Sequence, residues 1–228
     1  MRTLFLMLLC CCVQLSFAQI IGTGSRNANF LQTLTGEPVT SRSATRYTDG
    51  TPYLANEWMR ATIITPEGQA YKDEMVKLNL LEGKLHYRAP SGHELVAVTP
   101  IKEVIVIDET GKAMKFIHSS FIPGNELGAV WLQELSQGPV RMFKHLKKDV
   151  KEMKAYGSST TEVYVTDEKR YYLLSDNNLQ KIKKLKDITD LLSAKENELA
   201  KFIRDQSLKD KAETDMARLV DYYNSLSR

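Results

Sequence analysis

Between residues 75 and 81 the chain reads Met-Val-Lys-Leu-Asn-Leu-Leu, with Val76, Leu78 and Leu80 on one side of a two-residue alternation and Lys77 and Asn79 on the other. Successive strand side chains point to opposite faces, so this spacing predicts a half-buried strand. The alternation recurs from residue 53 to about residue 121, with turn-forming residues between the runs. Residues 58–65 precede the turn Pro66-Glu67-Gly68, which leads into a short run at 69–72. After the strand at 75–81, Glu82-Gly83 turns the chain, and Leu85 and Tyr87 then alternate with Lys84, His86 and Arg88. Ala89-Pro90-Ser91-Gly92 predicts a reversal into a strand at 93–98. Val104-Ile105-Val106-Ile107 is apolar at every position, which predicts a central strand covered on both faces, most simply by the C-terminal helices. Glu109-Thr110-Gly111-Lys112 closes that strand and starts another at 113–117.

Residues 139–153 admit two readings. Val140, Phe143, Leu146, Val150 and Met153 follow helical spacing, with Pro139 at the first turn. The run 129–135, the turn Ser136-Gln137-Gly138 and the run 140–150 also describe a long hairpin, although periodicity alone favours the helix. Beyond a Gly/Ser/Thr loop at 156–160, residues 162–166 and 170–175 predict a tyrosine-rich hairpin about Asp167-Glu168-Lys169, and Asp176-Asn177-Asn178 turns the chain into 179–185. From there the period becomes helical. Asp187 is placed to cap a short helix, while Ser193 with Glu196 and Asp210 with Glu213 have the spacing of capping boxes. Ala212, Met216, Leu219, Val220 and Tyr223 form one stripe. Strands first and helices last make the expected fold class α+β, an antiparallel β-meander sheet or half-barrel followed by short C-terminal helices.

The first residues add a destination. Arg2 precedes an apolar run from Leu4 to Val13, and Ser16 and Ala18 flank Phe17, so residues 1–18 are expected to be a signal peptide cleaved after Ala18. The run is about half the roughly 20 residues a membrane-spanning helix needs, so no transmembrane segment is expected in the mature chain. Cys10, Cys11 and Cys12 are the only cysteines and lie inside this segment. A mature chain without thiols has no disulfide, no cysteine nucleophile and no sulfur-ligated zinc. Leu9 before Cys10 also departs from the small residue that lipoprotein processing requires. The expected location is the periplasm or the exterior. Residues 19–52, rich in Gly, Ser, Thr, Asn and Arg, are expected to form a partly mobile leader that can be pinned as an edge strand or a short helix through Phe30 to Leu34. Residues 53–228 are expected to form a single α+β domain, with the sheet over 53–185 and helices over 187–226.

Charge refines this only modestly. Losing Arg2 leaves 30 of the 31 basic residues against 28 acidic ones, a near-neutral total that argues against nucleic acid as a partner. The basic surplus is C-terminal, with 19 basic and 15 acidic residues over 141–228 against 11 and 13 over 19–140. Lys144, Lys147 and Lys148, with Lys181, Lys183 and Lys184, would form a positive patch if their two segments are neighbours. Beside Tyr164, Tyr171 and Tyr172 this patch could hold an envelope protein, an anionic glycan or a lipid headgroup. Lys151, Lys154 and Lys186 belong to the same runs, and Asp149, Glu152 and Asp187 interleave with them, as in an ordinary solvated face.

Catalytic signals are weak. Setting Leu85 opposite Leu95 puts His86 opposite Glu94 and His93 opposite Tyr87, so the two imidazoles point to opposite faces and share no metal. The same register predicts a His86–Glu94 pair on the solvent face. His118 and Ser119 are adjacent strand residues and face apart. Gly22-Thr23-Gly24 follows no strand and lacks the context of a dinucleotide fingerprint. Asp73/Glu74 and Asp108/Glu109 are the paired carboxylates on which an envelope hydrolase, the alternative function, would have to rest. A third reading is a ligand-carrying half-barrel with an apolar cavity beneath the sheet. No cofactor, catalytic or metal-ligating residue is expected, and the leading function is an exported, non-enzymatic binding or structural module of the cell envelope.

A resemblance bears on the ambiguous segment. Tyr53-Leu54, Trp58, Gly68, Tyr71, Leu78-Asn79-Leu80 and Tyr87, with Tyr171-Tyr172 and Tyr222-Tyr223-Asn224 near the end, resemble a family of secreted Bacteroidota proteins that has no established function. The resemblance spans about two thirds of the chain. It implies export, a sheet-plus-helices plan, and a hairpin arm at 140–150, which favours the strand there. It transfers no catalytic residue.

Overall fold

The computed structural model describes residues 34–39, 47–89, 91–154, 156 and 161–226. The expected signal segment, Gly22-Thr23-Gly24, the leader up to residue 33 and the loop at 157–160 lie outside the described residues.

Eleven strands form one open sheet. They are β1 (Gly36–Pro38), β2 (Met59–Ile64), β3 (Ala70–Asn79), β4 (Lys84–Arg88), β5 (Glu94–Ala97), β6 (Glu103–Ile107), β7 (Ala113–His118), β8 (Trp131–Ser136), β9 (Arg141–Met153), β10 (Glu162–Ser175) and β11 (Asn178–Ile182). Three helices follow, α1 (Leu185–Leu191), α2 (Glu196–Asp205) and α3 (Glu213–Leu226). The spatial order β1-β5-β4-β3-β2-β6-β7-β8-β9-β10-β11 departs from consecutive strand pairing. Strands β2 to β5 extend one way, β6 returns to the free side of β2, and β7 to β11 extend the other way. All pairings between named strands are antiparallel, and a single parallel bridge joins Asp49 to Tyr164.

The alternation at 75–81 is realised, with Val76 and Leu78 fully buried. The two runs expected at 69–72 and 75–81 are one strand, however. Asp73 adopts φ 61° at the register shift against β2, so the polar interruption is a bulge within β3. Likewise 162–175 is one strand, paired to β9 without a break from Glu162 to Leu174. Its charged Asp167-Glu168-Lys169 resembles a turn only because these three β10 residues are exposed whichever face they point to. Residues 141–153 form a strand, as the hairpin reading expects. Val140 and Met142 enter one core and Phe143 another on the opposite face, and this two-sided burial imitates helical spacing.

One sheet face carries the largest core, with Leu78, Leu85, Tyr87, Val104, Val106, Phe116 and Trp131 at its centre. A strap holds this face together. Thr48 N–H donates to the Val163 carbonyl at 2.7 Å and Val165 N–H to Asp49, and farther along Leu54 N–H donates to Leu78 and Leu80 N–H to Pro52. Residues 48–54 thereby join β10 to β3, strands that are well separated in the sheet order.

The helices pack elsewhere than expected. Ile188, Leu199, Met216, Leu219 and Val220 cover Met142, Leu173 and Ile182 of β9, β10 and β11. Strand β6 is central but buries only Val104 and Val106 fully, while Ile107 is 46% exposed. Residues 122–130 instead cover a third core on the opposite face, where Ile122 and Leu127 meet Ile117, Leu132, Phe143 and Tyr172.

Helix starts also differ from the expected capping boxes. Asp187 caps α1 as expected, though from inside its first turn, its carboxylate accepting the N–H groups of Lys183 and Lys184 at 2.7 and 3.2 Å. Ser193 opens a separate 3-10 turn, and α2 begins at Glu196 without a side-chain cap. Glu213 turns to the sheet rather than back to Asp210, and Asp215 receives the N–H of Lys209 at 2.9 Å.

Candidate cationic surface on strands β9 to β11

The period of two divides seven of the nine residues of the expected patch between the faces of the sheet. Lys144, Lys148 and Tyr171 share the face of Met142 and Leu173 and have internal partners. Lys144 Nζ lies 3.1 Å from Glu213 Oε1, and the Tyr171 hydroxyl donates to Glu213 Oε2 at 3.0 Å. Burial, reinforced by that bond, pushes the Tyr171 phenol up to about 12. Lys148 is almost wholly enclosed and pairs with Asp167 at 2.8 Å. Lys183 and Lys184 lie past the end of β11, at the start of α1.

Lys147, Tyr164, Tyr172 and Lys181 lie on the opposite face. Tyr172 is buried in the third core, directly across from Lys181. Tyr164 donates its hydroxyl to Glu162 at 2.6 Å, and Lys147 bonds Asp149.

Three further residues complete this face. His145 is opposite Arg170 and Lys147 is opposite Glu168 across the β9–β10 pair. Arg170 donates to Glu168 at 2.6 Å, and this bond holds the carboxyl below its usual range, aided by the charges of Arg170, Lys181 and Lys147. Three cations from three adjacent strands thus act on one carboxylate, Arg170 by a direct bond and Lys147 and Lys181 through their charge. His145 is only 6% exposed, and burial lowers its pKa, followed by repulsion from Arg170 and Lys147. Its Nδ1 and Arg170 Nε are buried without hydrogen-bond partners among the described residues. A buried donor or acceptor left unpaired is costly, and these two atoms belong to residues directly opposite each other on β9 and β10. Reading 167–169 as a turn is what concealed Glu168 and Arg170. As one strand, positions 168, 170 and 172 form a single row.

The other candidates have local roles. His86 meets Glu94 at 2.7 Å, the expected partner, but the register is shifted by two residues so that Tyr87 faces Leu95, and the contact is diagonal. His86 is also 4% exposed rather than solvated, with Tyr53 edge-on at 5.3 Å. Asp73 pairs with exposed Arg60 at 3.6 Å, and burial followed by the charge of Asp73 raises the pKa of Glu74. Asp108 accepts from the Thr110 N–H, the Thr110 hydroxyl and the Lys112 N–H, shaping a turn that also contains Glu109. Among the described residues no group of three His, Cys, Asp or Glu side chains is placed to hold a metal ion. No described helix is long and apolar enough to cross a membrane. An inner cavity lined by Leu54, Leu80, Phe116, Trp131 and Leu146 measures about 130 Å³, well below the roughly 300 Å³ at which ligand pockets begin.

No family model, curated protein or solved structure matches the chain.

Proposed function

We propose that the protein is an exported binding module of the cell envelope that holds an anionic polysaccharide against the β9–β11 face. The observation that carries this reading is the convergence of Lys147, Arg170 and Lys181 on Glu168, beside the unpaired Nδ1 of buried His145. Neighbouring strands are about 4.8 Å apart, so cations on adjacent strands present charge along a line. That arrangement suits a polymer with repeated carboxylate or sulfate groups better than one compact phosphate. Export is supported by the basic residue, apolar run and small residues of 1–18. The strapped face is read as a structural half-barrel frame, since the inner cavity behind Leu54 and Leu80 is too small for cargo.

The test is retention on dextran sulfate resin, with vesicles containing phosphatidylglycerol as the competing surface. Replacing Lys147, Arg170 and Lys181 together by Gln should shift elution to lower salt, because such contacts are screened by ions. Unchanged elution of the triple variant rejects the site. Binding to vesicles but not to the resin rejects the polysaccharide in favour of a lipid surface.

A further inference from the structure

We propose that Ser120 and His118 form a nucleophile–base pair, and that the protein hydrolyses small carboxylic esters in the cleft beside them. This activity goes beyond the binding role above and shares no residue with it. Adjacent residues 118 and 119 face apart, but the 3-10 turn at Ser119–Phe121 brings the next hydroxyl back over the imidazole. Ser120 Oγ lies 2.6 Å from His118 Nδ1. Ser119 anchors the turn from the inside, its hydroxyl donating to the Gly128 carbonyl while accepting the Val130 N–H at 3.0 Å.

The imidazole is held on several sides. Trp131 meets it edge-on with ring centres 5.0 Å apart, and Phe121 does so at 6.4 Å. Gly83 lines the cleft beside the ring, and its backbone acts to raise the imidazole pKa against the larger effect of burial. Nδ1 faces Ser120 and accepts its proton in the tautomer a general base requires. Burial lowers the His118 pKa, so the ring is neutral at pH 7.

The surrounding cleft has a volume of about 300 Å³, with Leu85, Ala97, Ile101, Phe121 and Trp131 among its walls. This is the lower end of the range for ligand sites, which selects short acyl groups. Trp131 is 3% exposed, and its indole N–H has no hydrogen-bond partner among the described residues. A buried donor in that state gains from an oxygen acceptor, and Trp131 is among the residues that line the cleft.

The chemistry balances without a cofactor. Ser120 Oγ bonds to the acyl carbon as its proton passes to His118 Nδ1. The carbon–alkoxy bond then breaks, and the alcohol leaves with that proton. Water next adds to the acyl carbon and gives a proton to Nδ1. The Oγ–carbon bond breaks, Ser120 recovers the proton, and a carboxylic acid is released.

The experiment uses the purified protein, a fluorophosphonate probe and 4-nitrophenyl butyrate. Mass spectrometry should find the probe on Ser120, and S120A should lose both the label and ester hydrolysis, the latter by about 100-fold or more. Ser120 is exposed, so this variant is expected to keep the parent melting temperature. H118Q should lose labelling as well, and the parent rate should rise with pH through one ionisation below the ordinary histidine value of 6.5. Absence of label at Ser120 overturns the proposal, as does S120A hydrolysing the ester at the parent rate.

Discussion

Lys148 shows what a single position in a two-faced strand demands. Its side chain is 3% exposed whereas Asp167 is 49% exposed, so the ammonium depends on a partner that itself remains largely hydrated. Removing the partner strands a buried charge, whereas replacing the lysine by an apolar chain of similar length removes the need for one. Asp167→Ala is therefore expected to destabilise by about 1–3 kcal/mol and Lys148→Met by under about 1 kcal/mol, measured by urea unfolding. Equal losses would show that the pair contributes through packing alone. At this scale the sequence marks Lys148 only as one of a run of lysines. Its burial follows from the even positions of β9 turning inward, and no local signal carries that.

At the scale of elements, α3 is joined to the β8–β9 turn by one side chain. Asn224 donates Nδ2 to the carbonyls of Gln137 and Val140 at 3.0 and 2.7 Å, and its Oδ1 accepts the Val140 N–H at 3.0 Å. The turn comes this close because Gly138 has no side chain. A Cβ there would lie 2.7 Å from Asn224 Nδ2, and its φ of 137° is one that glycine accepts freely. Asn224→Ala is expected to cost about 2–4 kcal/mol in urea unfolding, since it leaves three backbone groups without their partner. A loss under about 0.5 kcal/mol would mean that water replaces the amide. The apolar stripe through Met216, Leu219 and Val220 is legible from the sequence, and Leu219→Ala is expected to lose about 2–5 kcal/mol. Which strands that stripe covers is not legible. The continuous apolar run 104–107 suggests β6 as the floor, yet the helices rest on β9 to β11.

The whole molecule gathers these local decisions into a pH response. The half-buried imidazole of His118 and the buried one of His145 both have lowered pKa values. An unfolded histidine binds its proton near 6.5, so the unfolded chain holds more protons as pH falls below that value. Stability should be fullest above pH 6.5 and decline as pH falls toward the lower folded values. Melting curves between pH 7.5 and 5 test this, with His145→Gln expected to flatten the decline; a melting temperature constant across that window would contradict it. By itself, the sequence determined which side chains share a face within each short run, where most turns fall, and that helices end the chain. Those properties depend on a two-residue or 3.6-residue period and on local backbone preference, which neighbouring residues carry between them. The tertiary structure alone decided that 48–54 would strap β10 to β3, that 162–175 would be one strand, and that His145, Arg170, Lys147 and Lys181 would meet around Glu168. Such meetings depend on strand register and on what covers each face, and these are set by contacts between residues far apart in the chain.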